Sequence, residues 1–559
     1  MQTLKKLTIL LLLPLSVFSQ QTTGLFQYDW QTEDGYILWG PIFSRNQFVM
    51  NNCGEIVHAW IGDGITLGNS IYLLEDGTLL RCAKADTAVS SPIGAGGGGE
   101  RIQMVDWGGN VTWDFIYYDM DKRLHHDIEV LPNGNILAIA WVLMNQADCI
   151  QAGRNPSILA HGNLFSERII EIEPTGPTSG NIVWQWDLWD HLVQDFDITK
   201  DNFGVVSDHP ELLDLNWLNL NLDVPGESDF IHLNSIDYNA DLDQIMLSSQ
   251  VLSEIWIIDH STSTQEAAGH TGGTYGKGGD FLYRWGNPQV YGRGDETDQM
   301  LWRQHDANWI SDGLADAGSI MIYNNGLDRA VSFSEVDVIT PTQSSPGVYE
   351  LGSGAAFGPT DKTWNYHAPD SVSFYSYFIS GARRLPSGNT LICEGEKGRM
   401  FEVTYTGEKV WEYVNPATVN GIISSTDPIP SAGGGAFQGN IVFRAEKYPV
   451  DFSGFAGRDL STGVQLESNP ILANCSGIVG IDDFNSDLSI YPNPTTGVVT
   501  VENLNGARLL IYNAVGQLVM QQTVLSDQFS LDLSSQSQGV YALDIERNGE
   551  RLFRKLMVQ

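Results

Sequence analysis

Two patterns of apolar and polar positions recur along the chain, and each reads as a β-strand. In the first, a glycine opens a run of alternating residues that ends on an aromatic six positions later: GEIVHAW at Gly54–Trp60, GNVTWDF at Gly109–Phe115 and GNIVWQW at Gly180–Trp186. GDFLYRW, a glycine-less TDKTWNY and GEKVWEY end later copies at Trp285, Tyr366 and Tyr413, making six. Alternation with period two buries one face of a strand. The second pattern is a turn followed by a continuous apolar run, clearest in HHDIEVLPNGNILAIA (His125–Ala140) and ARRLPSGNTLICEG (Ala382–Gly395). Looser copies start at Asn69, His232, His305 and Phe437. Asn-Gly, Asp-Gly and Gly-Asn pairs between such runs are hairpin signals, so each copy is expected to be an antiparallel meander.

Six meanders at unequal spacing predict an all-β chain built on a six-bladed β-propeller whose loops carry insertions, the longest from about Leu188 to Asp229. An array of β-sandwiches is the alternative. The first aromatic-ended strand precedes any complete blade and the last segment, near Val442, lacks one after it. Residues 47–60 are therefore expected to complete the last blade beside 440–448, closing the ring and removing exposed edges.

The termini break this pattern. Residues 1–19 carry Lys5 and Lys6, an apolar run from Leu7 to Leu15 and small or polar residues at Ser16 and Ser19, the layout of a signal peptide. That run is too short to span a bilayer, so no transmembrane segment is expected. The propeller is assigned to residues 20–459, a linker poor in large apolar residues to 460–487, and a small β-sandwich to 488–559, where short alternating strands return.

Composition narrows the class of partner. Glycine (58) and tryptophan (16) are abundant and charged residues make up 18 %, which suits short strands and tight turns. The net charge of −38 repels phosphate backbones, so nucleic acid is excluded as a partner. Export permits disulfides, but five cysteines leave at least one thiol unpaired, and spacing does not give the pairing. No zinc motif or EF-hand loop is present.

Counting back eight positions from each strand-opening glycine places Asn69, His126, Ser380 and Ser431 at one equivalent point, joined by His232 and His305 when longer turns are allowed for. Innermost strands line the channel of a propeller, so His126, His232 and His305 are expected to converge at one mouth. A neutral imidazole is both nucleophile and base. For a lone histidine, a hydrogen-bonded plug is the plainer role. Three at one repeat position point to chemistry, and no carboxylate shares that position to make a metal site. Arg329, after Asn324-Asn325-Gly326, is placed near the same mouth as a clamp for a tetrahedral anion, or else as an ion pair with Asp328 or Glu335. His58, His191, His209, His260, His270 and His367 fall off the equivalent position and are read as loop or surface residues.

HDIEVLPNGNIL, DFIHLNSIDY, QHDANWI with IMIYNNG, SGARRLPSGNTLICEG, GEKVWEYVNP and NIVFRAEKYPVDFSGFAGRDL together resemble the bacterial aryl-sulfate sulfotransferases over most of residues 24–460. The resemblance implies a six-bladed propeller that moves a sulfuryl group from a phenolic sulfate donor to a phenolic acceptor through a sulfated histidine, with no cofactor. It implies catalytic roles for His232, His305 and Arg329, with His126 in the matching first block and also expected to be catalytic; Asn69 and Ser380, at the equivalent repeat position, are expected to line the substrate site. It also places the family's nucleophilic histidine where this chain has Ser380. A non-catalytic propeller that binds a phenolic or glycan ligand is the alternative function, and hydrolysis is a third, disfavoured because the Cys/Ser-x-Pro-x-Arg signature of sulfatases is absent.

YPNPTTG (Tyr491–Gly497), the Asn-Ala-Val-Gly turn and the basic Arg554-Lys555 are similar to the C-terminal sorting domain of the type IX secretion system. That similarity implies the secretion machinery as a partner and a secreted or cell-surface destination.

Overall fold

A computed structural model describes residues 20–559, apart from 43, 63–64, 86–90, 219–226, 462, 472–474, 476–488, 503–505, 514–516, 525, 527 and 548–549. The expected signal peptide and most of the expected linker lie outside the described residues.

The second sequence pattern folds as a tight turn between the first and second strands of a sheet. Gly77, Gly134, Gly318 and Gly388 hold the turn position with φ between 79° and 87°, and Asp243 takes it in a fifth copy with φ 51°. A left-handed residue there lets the second strand start back at once. The apolar run that follows is buried on both faces, as in residues 136–141, Gln244–Ser249 and Thr390–Glu394.

Among the described residues, five antiparallel sheets of four or five strands begin with this turn, and a sixth joins its first two strands from opposite ends of the chain. Their first strands are Leu67–Leu73, Lys122–Val130, Leu233–Asn239, His305–Trp309, Gly381–Arg384 and Val442–Pro449. Each of these packs on the next in that order, and Val442–Pro449 packs back on Leu67–Leu73, so the six close a ring around an axis. The molecule is a β-propeller.

The closing blade joins both ends of the chain. Val442–Pro449 pairs with Gly35–Pro41, which continues into Gln47–Met50 and Glu55–Trp60. Val464–Gln465, expected in the linker, adds a fifth strand at its edge, and Cys475 forms a disulfide with Cys53. Gly24–Tyr28 similarly extends the preceding blade by pairing with Lys409–Val414. The thiols of Cys82, Cys149 and Cys393 are buried and free.

The tryptophans of the first pattern, at its aromatic end or two positions before it, have a common task. A tryptophan on each outer strand donates its indole N–H across to the following blade: Trp60 to the Asp106 carbonyl, Trp113 to Ser179, Trp184 to the Thr262 hydroxyl, Trp285 to Pro359, Trp364 to Tyr405 and Trp411 to Asn52, at 2.7–3.2 Å. Six such bonds run once round the ring. Five of them join a large buried apolar surface to a polar tip that finds a partner, the arrangement a buried indole requires, and Trp364 is half-buried.

The C-terminal region has its own core. A three-stranded sheet (Ser489–Tyr491, Val498–Glu502, Gln528–Asp532) and a four-stranded one (Arg508–Asn513, Leu518–Thr523, Gly539–Arg547, Glu550–Val558) bury Val499, Val501, Leu509, Ile511, Leu543 and Leu556 together. It is a small β-sandwich.

Candidate active site

The first strands of five blades carry an irregularity next to the axis. Register slips between Leu67 and Ile71, Leu124 and Ile128, Leu233 and Ser235, His305 and Asn308, and Val442 and Ala445. A bulge re-aims side chains, and here it turns them toward the channel. His126 and His232 both adopt φ 54°, a left-handed conformation that costs energy for a non-glycine residue and is often found at functional sites.

These bulges bring the histidines together. The rings of His126 and His232 meet edge to face with centroids 4.6 Å apart. His305 lies close enough for its charge to act on His126, and that of His232 to act on His305. Burial, and then the neighbouring imidazoles, hold His126 well below the ordinary imidazole value. Burial pushes His305 down to about 3.

Their hydrogen bonds distinguish the three. His305 donates from Nδ1 to Asn325 Oδ1 at 2.8 Å, because Asn325 spends its amide N–H groups on the Ser376 and Ile379 carbonyls. Its Nε2 accepts the Ile379 N–H at 3.2 Å, so both ring nitrogens are committed. His232 donates from Nδ1 to Asp229 at 2.5 Å, which leaves the Nε2 lone pair without a protein partner among the described residues. Burial opposes charge on His232, but the Asp229 and Glu167 carboxylates outweigh it and raise its pKa. With its side chain 17 % exposed, His232 is also the imidazole open to a ligand.

His126 belongs to a longer chain. Its Nδ1 lies 2.9 Å from His125 Nδ1, and His125 Nε2 lies 2.8 Å from Glu167, whose other oxygen accepts the Leu233 N–H. His125 stacks on Trp141 with centroids 3.8 Å apart, which fixes its plane. Burial, together with the charge of Asp229, raises Glu167 well above the carboxylate range. A proton can therefore rest on Glu167 or be passed through His125 to His126 Nε2.

Residues 94–99, Gly-Ala-Gly-Gly-Gly-Gly, roof the pair. The Asn69 amide and the His126 N–H both donate to the Gly97 carbonyl, at 3.1 and 2.9 Å. A Cβ on Gly97 would sit 2.0 Å from His126 Nε2, and its φ is 80°, so only glycine lets the chain cross here.

The other expected residues are placed differently. Asn69 is buried and holds the roof. Ser380 is fully buried, donating to Ser376 Oγ and accepting from the Gly395 N–H, so its hydroxyl braces a loop. Arg329 pairs with Glu335 and lies between the rings of Trp302 and Phe333. The cations whose fields reach the histidines are Arg303, acting on His232, and Arg444, acting on His126 and His305. Arg444 binds Asp127 at 2.8 Å and Asp306 at 3.0 Å, and Arg383 joins Asp306 to Glu446. A buried ionic layer thus underlies the imidazoles, with Asp127 and Asp306 each one residue beyond His126 and His305. Sequence reasoning missed His125, Glu167, Asp229, Arg303 and Arg444. His125 and Asp229 had a local signal, adjacent to His126 and three residues before His232.

The arylsulfotransferase (ASST) family profile matches residues 30–420, and the secretion system C-terminal sorting domain profile matches 489–559. The chain belongs to the arylsulfotransferase family. Its sorting domain marks it as a secreted or cell-surface protein handled by the type IX secretion machinery. No curated protein matches the chain. Among solved structures, this arylsulfotransferase-family chain is similar to a protein of unknown function from Bacteroides caccae (10 % identity, 74 % of this chain and 98 % of that one, TM-score 0.37). It is also similar to a virginiamycin B lyase from Staphylococcus aureus (10 %, 71 % and 89 %, TM-score 0.31) and to the Swd1 β-propeller domain of Myceliophteria thermophila (9 %, 72 % and 88 %, TM-score 0.35). The propeller assignment rests on the sheet order described above. Among the described residues, no helix is long and apolar enough to cross a membrane.

Proposed function

We propose that the propeller transfers a sulfuryl group from a phenolic sulfate ester to a phenolic acceptor through a sulfated His232. One observation carries this reading: His126 and His232 meet ring to ring, and the Nε2 of each makes no hydrogen bond among the described residues. In the first half, the His232 Nε2 lone pair forms a bond to sulfur while the sulfur–aryl oxygen bond breaks. The departing phenolate takes a proton from His126, replenished through His125 from Glu167. In the second half, the acceptor phenol returns a proton to His126, its oxygen bonds to sulfur, and the nitrogen–sulfur bond breaks. No proton is gained or lost over the cycle.

Transfer of this kind needs charge dispersal on the sulfuryl oxygens more than a strong nucleophile. Arg303, paired with Asp328, and Arg444, paired with Asp127 and Asp306, are the cations whose fields reach the imidazoles, and each must loosen an ion pair to serve the sulfuryl oxygens. Arg329 reaches the sulfuryl group only by exchanging Glu335 for it. His305, with both nitrogens committed, positions the wall of the site.

The fifth blade favours a second reading, a propeller that binds a phenolic or glycan ligand without turnover, because Ser380 stands buried where the family resemblance puts the nucleophile. Incubating the protein with 4-nitrophenyl sulfate, with and without phenol, separates the readings. Nitrophenolate release that depends on phenol supports transfer, release without phenol supports hydrolysis, and silence supports binding alone.

A further inference from the structure

His191 and His270, expected on loops or the surface, meet away from the axis. His191 opens the long insertion after the outer strand Ser179–Asp187 and is fully buried, its ring stacked parallel to Trp186 at 5.6 Å. His270 and Asp280 flank a glycine-rich loop of the next blade, folded on itself by bonds from Gly278 N–H to the Gly272 carbonyl and from Gly279 N–H to the Gly269 carbonyl. Asp280 Oδ1 lies 2.8 Å from Nδ1 of both histidines. One ligand atom from each of the three falls within 4.8 Å of the others.

The second nitrogen of His191 gives the cluster its meaning. Nε2 lies 2.8 Å from the Ala267 carbonyl, which can only accept, so Nε2 carries the hydrogen. In the neutral ring Nδ1 is then a lone pair directed at a carboxylate oxygen. Two lone pairs at that distance repel unless a positive charge lies between them. A proton relieves one contact at a time, whereas a divalent cation satisfies two nitrogens and an oxygen together. An imidazole that donates its far N–H to a backbone carbonyl is also the arrangement that orients metal-bound histidines. The chain makes room for it: a Cβ on Gly279 would sit 2.0 Å from the Ala267 carbonyl oxygen and 2.6 Å from His191 Nε2.

We propose that His191 Nδ1, His270 Nδ1 and Asp280 Oδ1 form a zinc-class divalent metal site that staples the long insertion to the neighbouring blade. Tetrahedral zinc with bonds of about 2.0–2.1 Å needs ligand atoms roughly 3.3 Å apart, so the two 2.8 Å contacts open by about 0.5 Å on binding. His270 is 59 % exposed on the solvent side, which leaves the fourth position to water. Two imidazoles and one carboxylate favour zinc, nickel or copper over calcium or magnesium. The site is structural, because none of its residues belongs to the axial cluster.

Full-length protein freed of metal with a chelator tests this by calorimetric titration and thermal melting with Zn(II). One equivalent is expected to bind, and a midpoint rise of about 3 °C or more at saturating zinc should accompany it. His270→Ala should abolish both effects while leaving arylsulfate turnover at the wild-type level, and its exposed position spares the fold. Asp280→Asn should weaken binding at least tenfold. Absence of a one-to-one site in the wild type, or the same titration and melting shift in His270→Ala, would overturn the proposal.

Discussion

The axial and rim histidines are the same side chain put to opposite uses. At the axis, His126 and His232 each commit one ring nitrogen and leave the other without a partner among the described residues. At the rim, His260 gives Nδ1 to Asp243 at 2.7 Å and Nε2 to Glu171 at 3.2 Å, tying two blades together, and its pKa rises to about 9 because these carboxylates overcome the opposing effect of burial. His191 likewise commits both nitrogens. What separates a reactive imidazole from a structural one is therefore the count of acceptors around it, more than its depth of burial. A free lone pair is what a nucleophile or a proton carrier needs.

The largest effect expected from breaking this contrast is at His232. His232→Ala should lower kcat/KM for 4-nitrophenyl sulfate with phenol by about 10³-fold or more, without shifting the melting temperature greatly, since the ring is partly open. Unchanged turnover would remove it from the nucleophilic role.

Asp229→Asn should cost about 10²-fold and also change the pH profile. His232 must be neutral to attack, so the rate falls with decreasing pH through its raised pKa, above the ordinary value of about 6.5. Removing the Asp229 charge lowers that pKa, and the acid limb should move to lower pH. A limb that stays in place would mean that another group controls it.

Glu167→Gln should cost about tenfold with phenyl sulfate and less with 4-nitrophenyl sulfate, whose better leaving group has less need of a relayed proton. Equal losses with both donors would argue against a relay through His125.

At the rim the same change should act on stability. His260 is raised in the folded state, so its contribution is complete below about pH 6.5 and is lost as pH rises through about 9. After discounting for solvent near the Asp243 side chain, the contribution is about 1–2 kcal/mol. Chemical denaturation of the wild type should show that decline across this pH window, and His260→Gln should flatten it without changing kcat. The smallest effect is expected at Arg329, where replacement by Ala should cost less than tenfold in turnover if its guanidinium stays with Glu335. A larger loss would show that it moves to the substrate.

Periodicity carried the architecture. Turn glycines and outer-strand aromatics recur because each blade solves the same local problem, a tight reversal and a sealed face, and local problems leave a local trace. The level at which His126, His232 and His305 sit was legible for the same reason.

The roles within that level were not. Whether an imidazole nitrogen is free depends on Asp229, Asn325 and Glu167, and Glu167 comes from the third strand of its blade, which has no repeat signature. For Ser380 and Arg329, partners supplied by Ser376 and Gly395 in one case and by Glu335 in the other decide what their polar atoms face. The pairing of Cys53 with Cys475, and the meeting of His191 with Asp280, join residues far apart in the chain. Periodic patterning records what each segment needs from its own turn and strand. Which atoms face each nitrogen is set only by tertiary packing, because partners such as Glu167 for His125 and Asn325 for His305 lie 42 and 20 residues away in the chain and carry no periodic mark.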